Sequence, residues 1–256
     1  MKGKAFFIDT TLCTGCRGCQ IACKQWNQLP ATKTANRGSY QNPEDLSFYT
    51  YKLIRFQEFM GPDNKPVWHF FQDSCRHCLI PPCKGIADSS VPGGIIMESN
   101  TGAVIYTDKL KKVMSQDIIY ACPYNIPRVQ EETGYMAKCT MCVDRVNNGL
   151  LPACVKTCPT GAMNFGDRDR MVSLAHNRLT EVKSIFTRAV VTGLDDIRLF
   201  HLLADDPATY YQFARADRVP ARMDRQMALK KMRPASKAAF PERRQLDSRQ
   251  GREGWT

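Results

Sequence analysis

Residues 13–23 read CTGCRGCQIAC. Cys13, Cys16 and Cys19 are each separated by two residues, and Cys23 follows after three more. Two-residue gaps bring three sulfurs around one tight loop. Gly15 and Gly18 let that loop bend so that backbone N–H groups can turn toward the sulfurs. The three-residue gap places Cys23 one turn further on, along a helix that the loop feeds. A run of this kind gathers thiolates for a metal rather than for disulfides.

Working outward, the remaining cysteines fall into three more groups. Cys75, Cys78 and Cys83 lie in CRHCLIPPC, Cys122 stands alone in ACPYNIPR, and Cys139, Cys142, Cys154 and Cys158 lie in CTMCVDRVNNGLLPACVKTCP. The 2-2-3 run is the spacing of a bacterial ferredoxin, where three cysteines bind one [4Fe-4S] cluster and the fourth binds its neighbour. Lys24 takes the place of the proline usual after such a run; Cys158-Pro159 and Cys122-Pro123 keep it. The last group reads as a second run with a loop inserted before its third cysteine.

Crossed pairing then assigns the outer groups. Cys13, Cys16, Cys19 and Cys158 form the first site. Cys23, Cys139, Cys142 and Cys154 form the second. In the middle groups the same register expects cysteines at 87, 112, 115 and 118, where Ala87, Lys112, Ser115 and Ile118 stand. All four losses belong to one site. The survivors Cys75, Cys78, Cys83 and Cys122 make the third. Three [4Fe-4S] clusters are therefore expected, with these twelve cysteines as the iron ligands. The alternative chemistry is zinc, since the last group alone could pass for a four-thiolate zinc site. The 2-2-3 run argues against zinc for the whole chain.

Composition narrows the function. The 256-residue chain carries a formal charge of +11 with thiols counted as neutral. Twelve thiolates and three cluster cores of roughly +2 each would bring the loaded protein to roughly +5. From Arg215 onward the chain has 12 Lys/Arg against 5 Asp/Glu. The basicity sits in the tail, which disfavours a zinc-stapled nucleic-acid binder with a basic folded body. No apolar run is long enough to span a membrane, and the N-terminus shows no export signal. A chain exported with a partner would look the same. No nucleophile–base set, phosphate loop or G-x-G-x-x-G is found, so no catalytic residue is expected.

The pattern between the cysteines predicts α+β structure. KAFFID (4–9), YKLIRF (51–56) and VWHFF (67–71) read as strands, and GGIIMES with AVIYT as a hairpin. Residues 167–186 have helical spacing behind an Asp start signal. AVVTG and IRLFHLL suggest two further strands. Two nested ferredoxin-like domains are expected: an outer one from 1–48 and 130–166, and an inner one inserted at 49–129. A helix and strand extension (167–210) and a basic tail (211–256), with one helical candidate in RMDRQMALKKM, follow. His69, His176 and His201 read as structural. His77 reads as lying near a cluster or at the surface, Trp26 and Tyr124 as core. Arg17, Lys24 and His77 are candidates for tuning cluster potential.

In these motifs the chain resembles the iron–sulfur (beta) subunits of the molybdopterin oxidoreductases, among them nitrate reductases, polysulfide reductases and formate dehydrogenases. The resemblance is closest to the beta subunits of tungsten- or molybdenum-containing formate dehydrogenases of sulfate-reducing bacteria. It is carried by CTGCRGCQIACKQWNQLP, CRHCLIPPCKG, ACPYNIPR and NNGLLPACVKTCPTGAMNFGDRDRM. It implies a non-catalytic electron-transfer subunit partnered by a molybdopterin-containing catalytic alpha subunit. It further implies a downstream cytochrome c or a membrane quinone-reactive subunit, and a periplasmic location reached by co-export. The same relay in another molybdopterin oxidoreductase or a hydrogenase is the neighbouring reading.

Overall fold

The computed structural model describes residues 2–61, 63–112 and 115–216. Its centre is a four-stranded sheet in the order β8-β1-β10-β9, formed by β1 (Lys4–Asp9), β8 (Met163–Asp167), β9 (Val190–Thr192) and β10 (Leu199–Leu203). β1 pairs antiparallel with β8 and parallel with β10, so that Phe6 stands between Phe165 and Leu199. The sequence KAFFID has no polar alternation because both faces of β1 are buried. Phe6 and Ile8 point to one side, with Cys19, Met141, Cys154 and Met163. Ala5 and Phe7 point to the other, against Met171, Ala175 and Val182 of α6 (Arg168–Val182). Each such buried large side chain contributes roughly 1.5–3 kcal/mol. The sheet thus has a cysteine-bearing front and a helix-covered back.

Two side chains lock the end of β1. Asp9, 1% exposed, accepts from Thr11 N at 3.0 Å and forms an ion pair with Arg178 of α6 at 2.9 Å. Thr10 Oγ1 donates to the Leu202 carbonyl at 2.8 Å. The 3-10 turn Thr10–Leu12 that they fix leads straight into Cys13. At α6 the expected Asp start signal acts differently. Asp167 makes no side-chain cap; its carboxylate accepts instead from Lys4 Nζ at 2.6 Å, across the β1–β8 pair. The helix ends at Val182, four residues before the expected end, and Ile185 beyond it is 77% exposed.

The segment between the first and last cysteine groups carries a long hairpin, β2 (Leu53–Met60) with β3 (Pro66–Asp73). Its base is buried and its tip, with Met60 and Trp68, is exposed. Then come α2 (Pro82–Ser90), the short hairpin β4 (Ile95–Met97) and β5 (Val104–Tyr106), and α3 (Ser115–Ala121). Short pieces complete the front: β6 (Arg128–Val129) with β7 (Met136–Ala137), α1 (Gly18–Trp26), α4 (Val143–Asn147) and α5 (Ala153–Lys156). The helical candidate at 222–232 lies outside the described residues.

Candidate metal centres

Cys13 follows the Asp9-capped turn, and Cys19 and Cys23 stand one turn apart on α1. Gly15, at φ +66°, presses against the Phe70 ring with no room for a Cβ. Arg17 takes φ +61° to start the helix. The Cys13 sulfur accepts from Gln72 Nε2 at 2.8 Å and from the Gly15 N–H. The Cys158 and Cys16 sulfurs bear on its ionisation, and those of Cys13, Cys158 and Cys16 on that of Cys19.

Cys23, Cys139, Cys142 and Cys154 form a second neighbourhood. Met141 and Cys142 both have positive φ, and the Met141 N–H points at the Cys139 sulfur at 3.4 Å. The Cys142 sulfur accepts from Ala153 N–H and that of Cys154 from Val155 N–H. The inserted loop is closed by Arg145, which donates to the Leu151 carbonyl at 2.7 Å.

Cys75, Cys78, Cys83 and Cys122 form the third. His77, at φ +46°, turns its N–H to the Cys75 sulfur at 3.4 Å. The Cys122 sulfur accepts from the N–H groups of Ile126 and Tyr124. All three loops use the same device, a left-handed residue that aims amides at a thiolate.

Charge interactions join the first set to the second and the second to the third. Cys19 and Cys154 interact across the first boundary. Cys139 and Cys75 interact across the second. None of the dominant charge interactions links the first set to the third.

All twelve cysteines are free of disulfides. Burial pushes up the thiols of nine of them, among them Cys19, Cys83, Cys139 and Cys142 to about 11 and Cys122 and Cys154 to about 12. Neutral thiols are the resting form of such sites, and iron binding would displace their protons.

Several observations fit a polynuclear group here. Backbone amides surround each set. His77, 0% exposed, accepts at Nδ1 from the Val104 N–H at 3.0 Å, so its proton lies on Nε2, which meets no acceptor among the described residues. Burial, with the Lys138, Arg198 and Lys52 charges, keeps that ring neutral.

The positions where the ferredoxin register would expect four more cysteines hold other roles. Ala87 and Ile118, both 0% exposed, pack with Ile95, Val104, Leu110 and Met136 directly behind Cys83. Ser115 begins α3, and Lys112 ends a 3-10 turn.

Other residues differ from their sequence reading. Trp26 is a surface brace, 42% exposed: Arg145 stacks on it at 4.1 Å, and its Nε1 donates to Asp144 at 2.8 Å. Tyr124 is core, and His77 is wholly interior rather than at the surface. His201 is buried, His69 stacks on Tyr210 at 3.9 Å, and His176 is exposed on α6. Arg17 stacks over Tyr40 at 4.3 Å, and Lys24 donates to the Tyr49 carbonyl at 2.7 Å.

Sequence reasoning missed Lys52, Lys138 and the Asp73–Arg76 pair. Lys52 is 2% exposed. Burial disfavours its charge, but Cys154, Cys19, Cys139 and Cys23 outweigh that and raise its pKa. The available signal was a lysine beside the apolar strand run of Leu53 and Ile54.

A family model described as a 4Fe-4S dicluster domain matches residues 66–168. The chain is 49% identical over 214 residues to formate dehydrogenase 2 subunit beta (cytochrome c-553) of Nitratidesulfovibrio vulgaris, a match covering 82% of this chain and 98% of that protein. It is 50% identical over 212 residues to the formate dehydrogenase subunit beta of Megalodesulfovibrio gigas, with the same coverage of 82% and 98%. It is 38% identical over 214 residues to the formate dehydrogenase-O iron-sulfur subunit of Escherichia coli, covering 81% of this chain and 69% of that one.

Proposed function

Because this chain belongs to the iron–sulfur (beta) subunits of the formate dehydrogenases, we propose that it relays electrons from formate oxidation in a catalytic partner toward a separate acceptor. It is an electron-transfer subunit and not the catalytic one. When bound, [4Fe-4S] clusters supply one-electron carriers of tunable potential. The chain's own task is to hold them in line, dry and charge-matched.

In this reading the crossed sets are the ligands. Cys13, Cys16, Cys19 and Cys158 hold one cluster. Cys23, Cys139, Cys142 and Cys154 hold the next. Cys75, Cys78, Cys83 and Cys122 hold the third. The single observation that supports it is the gathering of the cysteines into three neighbourhoods, linked by charge at Cys19–Cys154 and at Cys139–Cys75. The nested arrangement has the outer domain at 1–48 and 130–166 and the inner at 49–129. The β1–β8 pairing supports it by closing the chain around the inserted segment.

The third set is read as the exit. Ala87 and Ile118 fill the lost fourth site just beyond Cys83, so a longer row would have continued there. Electrons enter at the end that carries Cys13. The partner is read as a molybdopterin alpha subunit binding tungsten or molybdenum, and the acceptor as a cytochrome c or a membrane quinone-reactive subunit. Among the described residues no helix is long and apolar enough to cross a membrane, and a periplasmic location through co-export fits this reading.

Purification of the native complex and assay of formate-dependent dye reduction tests it. Bleaching of this chain's visible absorbance by formate supports the reading. A complex that oxidises reduced dye with nitrate or polysulfide, or reduces dye with hydrogen, but does not reduce dye with formate supports the neighbouring enzyme classes instead.

A further inference from the structure

Two lysines are buried at the boundaries between the cysteine sets, and among the described residues neither meets a carboxylate. Lys52 is 2% exposed, and its Nζ donates to Ser74 Oγ at 3.3 Å. The charges around it come from Cys154 and Cys19, which meet across the first boundary, and from Cys139 and Cys23. The residues that follow it fix its place: Ile54 packs with Cys19 and Cys154, and Leu53 with Cys139, so Lys52 stands where the first and second sets meet.

Lys138 is 6% exposed and immediately precedes Cys139 of the second set. Its Nζ donates to the Val104 carbonyl and, at 3.2 Å, to that of Cys139. It lies 4.6 Å from the Tyr106 ring centroid and is the strongest charge favouring ionised Cys83 of the third set. It stands between the second and third sets.

A buried ammonium without a counter-ion is costly, so such a group is normally paired. Here the compensating charge has to come from the metal sites. Four thiolates around a core of roughly +2 leave each site anionic, and each added electron makes it more so. Two adjacent anionic sites repel, and a fixed cation between them reduces that repulsion.

We propose that Lys52 and Lys138 are charge bridges, one at each boundary of the relay, raising the reduction potential of the two sites each lies between and letting neighbouring sites hold electrons together. No bond is made or broken; the lysines position charge and leave the electron count unchanged. This rests on the relay reading above.

The test is an EPR-monitored redox titration of the intact complex, carried out on Lys52→Met, Lys138→Met and the charge-keeping Lys52→Arg, with iron measured in each. Lys52→Met is expected to lower the midpoints of the first and second sites and spare the third. Lys138→Met is expected to lower the second and third and spare the first. The shift should be about tenfold or more in the reduction equilibrium, which is about 59 mV for one electron, as expected of a unit charge nearby in an effective dielectric constant of about 20. Lys52→Arg should stay close to wild type. Iron-replete variants with unmoved midpoints, or with all three sites shifted alike, overturn the proposal. If Lys52→Met does not retain its iron, Lys52→Gln, which keeps a donor to Ser74, and Lys138→Met decide by the same criterion. A wild-type chain without iron overturns the relay reading instead.

Discussion

Replacing Asp73 by Asn should cost about 3–5 kcal/mol and strike the third site first. Asp73 is wholly buried and takes two guanidinium groups at once. Its Oδ2 accepts from Arg55 Nε at 2.9 Å and Nη2 at 2.8 Å; its Oδ1 accepts from Arg76 Nη2 at 3.1 Å. Arg55 would keep a second carboxylate, Asp45. Arg76, also unexposed, would lose its only carboxylate among the described residues and keep the Ser74 carbonyl, the Phe71 and Tyr124 rings, each 5.1 Å from it, and the Cys78 sulfur's charge when ionised. Removing one partner of a buried pair typically costs about 3–5 kcal/mol, because a charge is left unpaired. Native stability is only about 5–15 kcal/mol. For a domain of this size each kcal/mol moves Tm by about 2–4 °C, giving a fall of roughly 6–20 °C. Asp73 is separated from Cys75 by one residue, so loss of visible absorbance should begin with a third of the signal. Thermal melts of the complex followed by far-UV and visible circular dichroism measure both effects. The double variant Asp73→Asn/Arg76→Met should recover part of the loss, since it removes the orphaned charge. An Asp73→Asn protein that melts within about 2 °C of wild type, less than the fall set by about 1 kcal/mol, would refute the reasoning.

Three further outcomes follow from named contacts. Burial raises the Asp45 carboxyl, but the Arg55 hydrogen bond and charge and the Arg128 charge outweigh it and hold it below the usual range. Its stabilising contribution is therefore full above the unfolded carboxylate value of about 3.9 and is lost as pH falls through the folded value. Asp45→Asn should thus be less stable than wild type at neutral pH, with a gap in denaturant midpoint that narrows below about pH 4; a gap independent of pH contradicts this. Ile118→Ala, at a position with no exposed surface, should cost about 2–5 kcal/mol in unfolding experiments while leaving the iron content unchanged; loss of iron would mean that the position serves a cluster. Truncation after Ala214 removes most of the basic tail, which lies mainly outside the described residues, and should weaken association with the catalytic partner and flatten its salt dependence. Gel filtration across a salt series reads this, and unchanged association would show the tail to be uninvolved.

The sequence made the strands and the cysteine chemistry readable because both are local signals. A continuous apolar run such as KAFFID marks a strand buried on two faces, and C-x2-C spacing marks a metal loop. The α+β, ferredoxin-like character follows from those alone. What lies between distant segments has no local signature. Lys52 reads as an ordinary strand residue until β2 is placed against Ser74 and α1. Asp167 has the spacing of a helix cap, yet Lys4 of the neighbouring strand claims its carboxylate. Trp26 reads as core until Arg145 and Asp144 draw it to the surface. The filled fourth site was legible only as four missing cysteines. That Ala87 and Ile118 belong to one apolar cluster depends on the packing of α2 against α3.

The most direct test of the central claim is a crystal structure of the complex with anomalous data collected at the iron edge. The account predicts three four-iron sites in a row within this chain, bounded by Cys13, Cys16, Cys19 and Cys158, then by Cys23, Cys139, Cys142 and Cys154, then by Cys75, Cys78, Cys83 and Cys122, with no anomalous peak near Ala87 and Ile118. An iron peak between Ala87 and Ile118, a Cys23 ligating the same cluster as Cys13, or a third site lying between the other two would contradict it.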